Sequence, residues 1–345
     1  MTFIPSQDLS VFGTTNIGGS SMRPQTTFVP RLMVLVWALF VLCFGGVAAP
    51  KDQEGAAKSK NNACHKTSNA MHESCLSGAM SDLSLALAKC VNIPDPSEQK
   101  ACTKQAKADF NADLETCKAG FEVRKEICEA LGGGAYDPVI DPQDFSTTID
   151  NPYFPLKPGT TFIYEGVKAG TTERIEVVVT AETETILGVK CVVVQDTATV
   201  DGEVVEDTTD WYAQDNEGNV WYFGELAKQY EGGQLVSLEG SWKAGVDGAK
   251  PGIIMEGADT VKVHDLYRQE FALGVAEDMA EVLSLNSTAE ANKVVYTGCL
   301  ETKDFSPLAP DVVENKFFAP GVGQVLTIDV ETGEREELLD IIKKP

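Results

Sequence analysis

Six cysteines, Cys64, Cys75, Cys90, Cys102, Cys117 and Cys128, follow one another at intervals of 11, 15, 12, 15 and 11 residues, a series that reads the same in both directions. Their thiols can oxidise to disulfides or, as thiolates, hold a metal. Structural zinc sites place two ligands within a few residues of each other, and no such pair occurs here. His65 and His72, each close to a cysteine, are the metal option that this segment retains.

The remaining chemistry-bearing residues are less specific. No Gly-x-Ser-x-Gly and no HExxH is present, so serine-hydrolase and zinc-protease readings lack their usual entry points. His264, the one histidine after residue 72, stands beside a turn and reads as solvated. Carboxylate-only glycosidase chemistry needs just two acids at a fixed separation, a requirement that an acidic chain meets cheaply. Arg268 and Glu270, two apart with Glu277, Asp278 and Glu281 close behind, are the best polar constellation. On a strand they share a face, and a plain ion pair is the expected outcome. Asp215, Glu217 and Asn219 alternate like the first ligands of an EF-hand calcium loop. The glycine comes too early and no closing Glu follows, so a hairpin turn is expected instead of a metal site. Trp211, Tyr212, Trp221 and Tyr222, within Asp210 to Glu225, are the aromatic ligand-binding candidates. No motif calls for a cofactor.

Helix geometry explains the cysteine series. At about 100° per residue, steps of 11 and 15 residues end about 20° and 60° past whole turns, so the three cysteines of each half lie along one stripe. Cys102, Ala106, Phe110, Leu114, Cys117, Phe121, Cys128 and Leu131 share one side of the second helix. Pro94 and Pro96 break the chain between the halves, and Pro96-Ser97-Glu98 suits a helix start. In an antiparallel hairpin, level residues have numbers that add to a constant, here 192 for each nested pair. Of the fifteen connectivities open to six cysteines only the nested one keeps every pair level. Joining Cys64 to Cys117 would leave them misaligned by about 16 Å. The predicted pairs are Cys64 with Cys128, Cys75 with Cys117 and Cys90 with Cys102. Gly132-Gly133-Gly134 then ends the second helix and is expected to begin a flexible joint.

Ahead of the hairpin, residues 1–49 form a signal region. Met22 to Ala49 has basic Arg23 and Arg31, an apolar run from Leu32 to Phe44 and then small residues, the order of a cleavable secretory signal. Translation starts at Met1 or Met22. Cys43 lacks the small residue that a lipoprotein signal places before its cysteine. The expected location is secreted or periplasmic, with membrane attachment only through an uncleaved signal anchor. With Cys43 removed, eight of nine cysteines remain, an even number as an oxidising compartment favours.

The formal charge of -24 excludes nucleic-acid binding, which needs clustered Lys and Arg. Residues 50–134 carry 11 basic and 12 acidic groups, whereas residues 135–345 carry 15 and 39, so the acidity belongs to the C-terminal region. That region changes periodicity. Asp137-Pro138, Asp141-Pro142, Asn151-Pro152 and Pro155 keep its beginning extended. Strand-like runs follow at 161–164, 174–180, 189–195, 204–211, 220–223, 235–242, 266–271, 280–285, 293–296, 314–319 and 324–330, with turn signals between many of them. The fold class is α+β multidomain: a disulfide-stapled α-helical hairpin at 62–131, followed at 135–345 by an acidic antiparallel β domain, a curved sheet or barrel. Cys191 and Cys299, in similar Gly-x-x-Cys and Thr-Gly-Cys settings, are expected to pair. Along the Asp210 to Glu225 hairpin, Trp211 and Ala213 share one face and Tyr212 and Gln214 the other. Trp221 and Phe223 likewise oppose Val220 and Tyr222, and one face is expected to be core.

The runs Asn151-Pro152-Tyr153-Phe154-Pro155-Leu156-Lys157-Pro158-Gly159-Thr160, Gly188-Val189-Lys190-Cys191, Asp210 to Glu225 and Tyr267-Arg268-Gln269-Glu270 resemble an uncharacterised family of secreted bacterial β-rich proteins. The resemblance spans about 150–340, omits the cysteine hairpin and implies an extracytoplasmic bacterial domain with no activity attached. Three functions fit: an envelope binding or structural protein holding a small apolar or carbohydrate ligand, a carboxylate-dependent carbohydrate-active enzyme, and an adhesion or assembly module. Non-enzymatic binding is favoured, and only an enclosed, aromatic-lined cavity would set it apart from assembly.

Overall fold

The structure, a computed structural model, describes residues 62–168 and 170–343. The predicted signal region, with Cys43 and both start sites, lies outside the described residues. Helices α1 (Ala63–Val91) and α2 (Pro96–Leu131) form the antiparallel hairpin. Asp95 caps α2, accepting hydrogen bonds from the Ser97 and Glu98 N–H groups at 2.9 Å each, and Pro96 occupies the first turn, where its missing N–H costs nothing. The three nested disulfides form as predicted, with Cα separations of 5.6, 5.7 and 5.5 Å. Every hairpin thiol is thereby consumed. His72 stacks on Phe121 at 4.7 Å and its Nδ1 lies 3.1 Å from the Cys117 carbonyl oxygen, and no metal-ligating cluster occurs among the described residues.

The β strands are β1 (Phe145–Ser146), β2 (Thr160–Lys168), β3 (Thr171–Ile186), β4 (Val189–Val200), β5 (Glu203–Asp215), β6 (Val220–Glu231), β7 (Gln234–Ser237), β8 (Trp242–Lys243), β9 (Lys250–Met255), β10 (Leu266–Arg268), β11 (Glu270–Phe271), β12 (Met279–Ala291), β13 (Val294–Ser306), β14 (Ala309–Ala319), β15 (Gly323–Asp329) and β16 (Arg335–Lys343). Two meanders, β2 to β6 and β12 to β16, are each built from consecutive antiparallel neighbours, and the pairing of β16 with β2 joins them. At the far edges, β9 lies on β6 and pairs with β11, while β10 pairs with β12. Leu266 to Phe271 is thus one stretch that changes partner at Gln269, and the sheet is nearly a closed barrel. The N–H groups of Gln269 and Glu270 both donate to the Asp278 carbonyl, at 2.8 and 3.2 Å, which holds the bend. Gly252 makes the junction feasible, because a Cβ there would lie 2.3 Å from the Gln269 carbonyl oxygen.

Three strands, β1, β9 and β16, were not legible in the sequence, and the run 235–242 is split. Ser241 interrupts it by turning its hydroxyl to the Ala227 N–H and carbonyl, at 2.9 and 3.0 Å, in place of a ladder partner. β16 mixes Glu, Lys and Leu in helix-like proportions, and only its pairing with β2 makes it a strand.

The barrel buries two apolar clusters. One fills the interior with Val192, Val194, Val220, Met255, Val282, Leu300 and Val325. The other lies outside β4 to β6, where Trp211, Ala213, Phe223 and Cys191 are covered by Ala244 and the lead-in residues Ile140 and Phe145. This separates Cys191 from Cys299, which belongs to the interior cluster, and both are buried free thiols. The expected disulfide is absent because β4 and β13 stand across the ring, with β14, β15, β16, β2 and β3 between them.

The hairpin does not swing on a glycine joint. The Cys64 N–H donates to the Gly133 carbonyl at 3.2 Å, tying the glycine run to the first turn of α1. Arg124 of α2 meets Glu277 of the barrel in a buried, two-pronged ion pair, Nε to Oε2 at 2.9 Å and Nη2 to Oε1 at 2.7 Å. Gly120, one turn earlier, lets the helix touch the β13–β14 turn, since a Cβ would lie 2.3 Å from the Pro307 carbonyl oxygen.

Candidate binding cavity

Alternation along the strands places one set of side chains inside the barrel. Phe162 and Tyr164 of β2, Ile175 and Val177 of β3, and Val194 of β4 form an apolar wall, and Tyr212 of β5 and Phe318 of β14 complete it. The cavity measures about 320 Å³ and is partly open to solvent. One end is closed by Phe154, whose ring meets Tyr212 at 5.7 Å and Phe318 at 6.4 Å. The lead-in that carries Phe154 is tied down by Asn151, whose side-chain amide donates to the carbonyls of Gly218 and Glu256 at 2.9 and 2.8 Å. The Gly321 N–H adds a hydrogen bond to the Pro152 carbonyl at 2.7 Å.

Polar groups break this wall on the same alternation. Asp196 follows Val194 by two positions, and Asp210 lies directly across from Val194 on β5. Across the lumen, Lys316 reaches Asp304 at 3.2 Å. Asp304 also accepts from Thr302 Oγ1 at 2.5 Å and Gln269 Nε2 at 3.1 Å. Burial works against the Lys316 ammonium, but the carboxylates of Asp304, Glu314 and Asp278 outweigh it and hold the amine above its ordinary value. Asp210 accepts the Tyr222 O–H at 2.5 Å. Burial pushes its carboxyl up to about 8 against that hydrogen bond, with Glu225 and Glu206 adding to the rise. Burial also lifts Glu225, to about 7. Asp196 is raised well above the usual carboxylate range by burial and then by Asp210 and Glu336. The interior thus offers an apolar chamber with protonatable carboxyls at one side.

The six ligand-binding candidates are dispersed. Tyr212 lines the chamber and Tyr222 stacks on it at 4.7 Å and 14°, so these two face inward, a direction that the alternation left open. Trp211 is on the outer face beneath Lys243, whose Nζ is 4.3 Å from its ring. Trp221 is also outward, donating its Nε1–H to Asp215 at 2.7 Å against the edge of Phe145. Both faces of this hairpin are covered, because the lead-in folds back over the outer one. Asp215 spends its carboxylate on the N–H groups of Glu217 and Asn219, the Asn219 amide and Trp221, which makes it the brace of a hairpin turn.

Arg268 and Glu270 do not pair. The bend at Gln269 sends them to different neighbours: Glu270 accepts the Trp242 Nε1–H at 3.3 Å, and Arg268 lies over the Tyr136 and Phe271 rings. His264 is exposed and 3.5 Å from Glu281. The sequence reading missed Asp196, Asp210, Lys316 and Arg124. The available signals were an acid continuing the apolar face of β4, and a mid-helix glycine one turn before an arginine.

No protein-family model matches the chain, and no curated protein does. A crystal structure of a candidate lipoprotein from Parabacteroides distasonis is similar at 13% identity and a TM-score of 0.31, over 55% of this chain and 98% of that one. Three disulfides point to an oxidising, extracytoplasmic setting. Among the described residues no helix is long and apolar enough to cross a membrane.

Proposed function

We propose that the protein is a secreted or periplasmic binding protein of bacterial origin, released by cleavage of the 22–49 signal, whose barrel takes a small, largely apolar ligand bearing a hydrogen-bonding head. The observation that carries this reading is the chamber of about 320 Å³, walled by Phe162, Ile175, Val177, Tyr212 and Phe318 and broken by the Asp196 carboxyl. Its size lies in the range of small-molecule sites, which are mostly apolar with a few placed polar groups. The hydrogen-bonding head would meet Asp196 and Asp210 on one side of the chamber or Lys316 across it, and the apolar body the rings of Phe162, Tyr212 and Phe318. An adhesion module has no need of an aromatic-lined internal chamber.

The test is N-phenyl-1-naphthylamine, a neutral apolar fluorophore whose emission rises in a dry site. It is expected to bind the full chain at one site, and Val177→Trp, which fills the chamber, is expected to abolish the signal. Equal binding by that variant would sink the proposal. A second reading rests on Asp196 and Asp210, diagonal neighbours on adjacent strands with raised carboxyls, the arrangement of an acid and its partner. Hydrolysis of a panel of 4-nitrophenyl glycosides, lost in Asp210→Asn, would establish it in place of the first.

A further inference from the structure

Where the hairpin meets the barrel there is a second cavity, of about 220 Å³, on the other side of the β10–β11 bend from the chamber. Its walls are the Cys64–Cys128 disulfide, Ile127, Leu273 and the rings of Tyr136 and Phe271, which meet at 5.0 Å. Its charged residues are Arg124, Lys250, Arg268 and Glu277, three cations against one carboxylate, in a protein whose net charge is -24. Glu277 is committed, taking both prongs of Arg124 and the Gly274 N–H at 2.8 Å. Lys250 is committed as well, to Asp137 at 2.6 Å and to the Tyr136 carbonyl at 2.7 Å.

Arg268 is different. Its guanidinium is held between the two rings, 5.5 Å from the Tyr136 centroid and 5.2 Å from that of Phe271. Its hydrogen-bond contacts among the described residues are to sulfur atoms, Met279 Sδ at 3.8 Å and Cys64 Sγ at 4.0 Å, and the nearby Glu277 carboxylate, already taken by Arg124, acts on it only through space. A guanidinium is a fork of donors matched to a carboxylate, and none is supplied. From the helix side Ser68 also lines the cavity. It is 1% exposed, and its hydroxyl has no hydrogen-bond partner among the described residues. Buried hydroxyls are almost always satisfied, so this one points to an absent partner.

We infer that the hairpin–barrel seam is a second binding site, for a small organic monoanion whose carboxylate sits on Arg268 and Ser68 and whose apolar body lies against the disulfide, Ile127 and Phe271. A cavity of roughly 150 Å³ accommodates a benzene ring, so about 220 Å³ takes one ring with a short acidic arm. The hairpin has a function in this arrangement: it supplies half of the site.

The probe is phenylacetate, with phenylacetamide as its uncharged isostere, titrated calorimetrically into the full chain. Phenylacetate is expected to bind once per chain and at least about tenfold more tightly than the amide, the discrimination of a charge-assisted pair. Arg268→Gln removes that preference and Arg268→Lys keeps part of it. Because Arg268 also packs the seam, Ser68→Leu provides an independent check: it fills the cavity from α1 without touching the guanidinium, and is expected to abolish binding while leaving the melting temperature at or above that of the wild type. Val177→Trp, in the barrel chamber, is expected to change nothing here, so the two sites stand or fall separately. Failure of phenylacetate to bind at millimolar concentration, equal affinity for acid and amide, or unaltered binding by Ser68→Leu would each overturn the inference.

Discussion

The two halves of the described chain reach stability by opposite routes. α1 buries three residues along its length, Ser68, Ala79 and Cys90, and α2 buries six, of which Gly120, Arg124 and Ile127 lie on a single stripe. Between them run three disulfides that close separations of 64, 42 and 12 residues. The barrel has no cross-link among the described residues and leaves Cys191 and Cys299 as thiols, yet it buries Phe223, Met255, Met279 and Leu300 completely or nearly so. A two-helix hairpin has too much surface for its volume to exclude water from a core. A sheet that closes on itself has an inside, and it satisfies its edges as well. Covalent staples are found where geometry denies the chain a core, and are missing where it provides one.

The sharpest way to break that contrast is reduction. A thiol reductant is expected to melt the hairpin, seen as loss of the helical signal at 222 nm, while the near-ultraviolet signal of the barrel tryptophans persists. Each lost cross-link removes about 3 to 4 kcal/mol of loop-closure stabilisation. Simultaneous loss of both signals would show that the barrel depends on the hairpin.

Docking of the hairpin comes next. Arg124→Ala strands the Glu277 carboxylate in a buried site, a cost of about 3 to 5 kcal/mol. Hydrogen exchange should accelerate along α2 from Gly120 to Cys128 and at Gly274, with the β2 to β5 ladders unchanged. Protection retained at those positions would mean that the apolar seam suffices.

The buried acids give a pH test of smaller size. Asp210 is raised in the folded state to about 8, whereas its unfolded value is the ordinary one of about 4. The folded state therefore holds the proton over that interval, and the contribution of Asp210 to stability is complete below pH 4 and is lost as pH rises toward 8. Asp210→Asn keeps the acceptor for Tyr222 and cannot ionise. It is expected to raise the melting temperature at pH 8, by the equivalent of about 1 to 3 kcal/mol, and to leave it unchanged at pH 4.5. The smallest effect is local: Asp95→Ala removes the cap of α2 and should lower hairpin stability by about 1 kcal/mol in a thermal melt.

Much of the hairpin was legible in its sequence because helix periodicity is local. Residue spacing alone sets which cysteines lie level, and all three pairs follow from it. The division of Tyr212 from Trp211 and of Tyr222 from Trp221 was legible for the same reason, since a strand alternates whatever its surroundings. What the alternation does not contain is the layer that covers the second face, here Phe145, far away along the chain. The tempting Arg268–Glu270 pair fails on the same ground, because the partner change at Gln269 belongs to β9 and β12 rather than to the two residues themselves.

The amino-acid order thus settled everything that depends on repeat geometry within one element or one hairpin: the cross-links, the cap of α2, the Asp215 turn and the faces of β5 and β6. Tertiary structure alone decided the closure of the ring, the separation of Cys191 from Cys299, and the gathering of Asp196, Asp210 and Lys316 into one chamber. It also set Arg124 on Glu277, left Arg268 between two rings with no carboxylate bonded to it, and left the Ser68 hydroxyl without a hydrogen bond at the seam. Those outcomes depend on which distant strands become neighbours, and in an antiparallel sheet that choice is made by the burial energy of the whole barrel, which no short stretch of sequence carries.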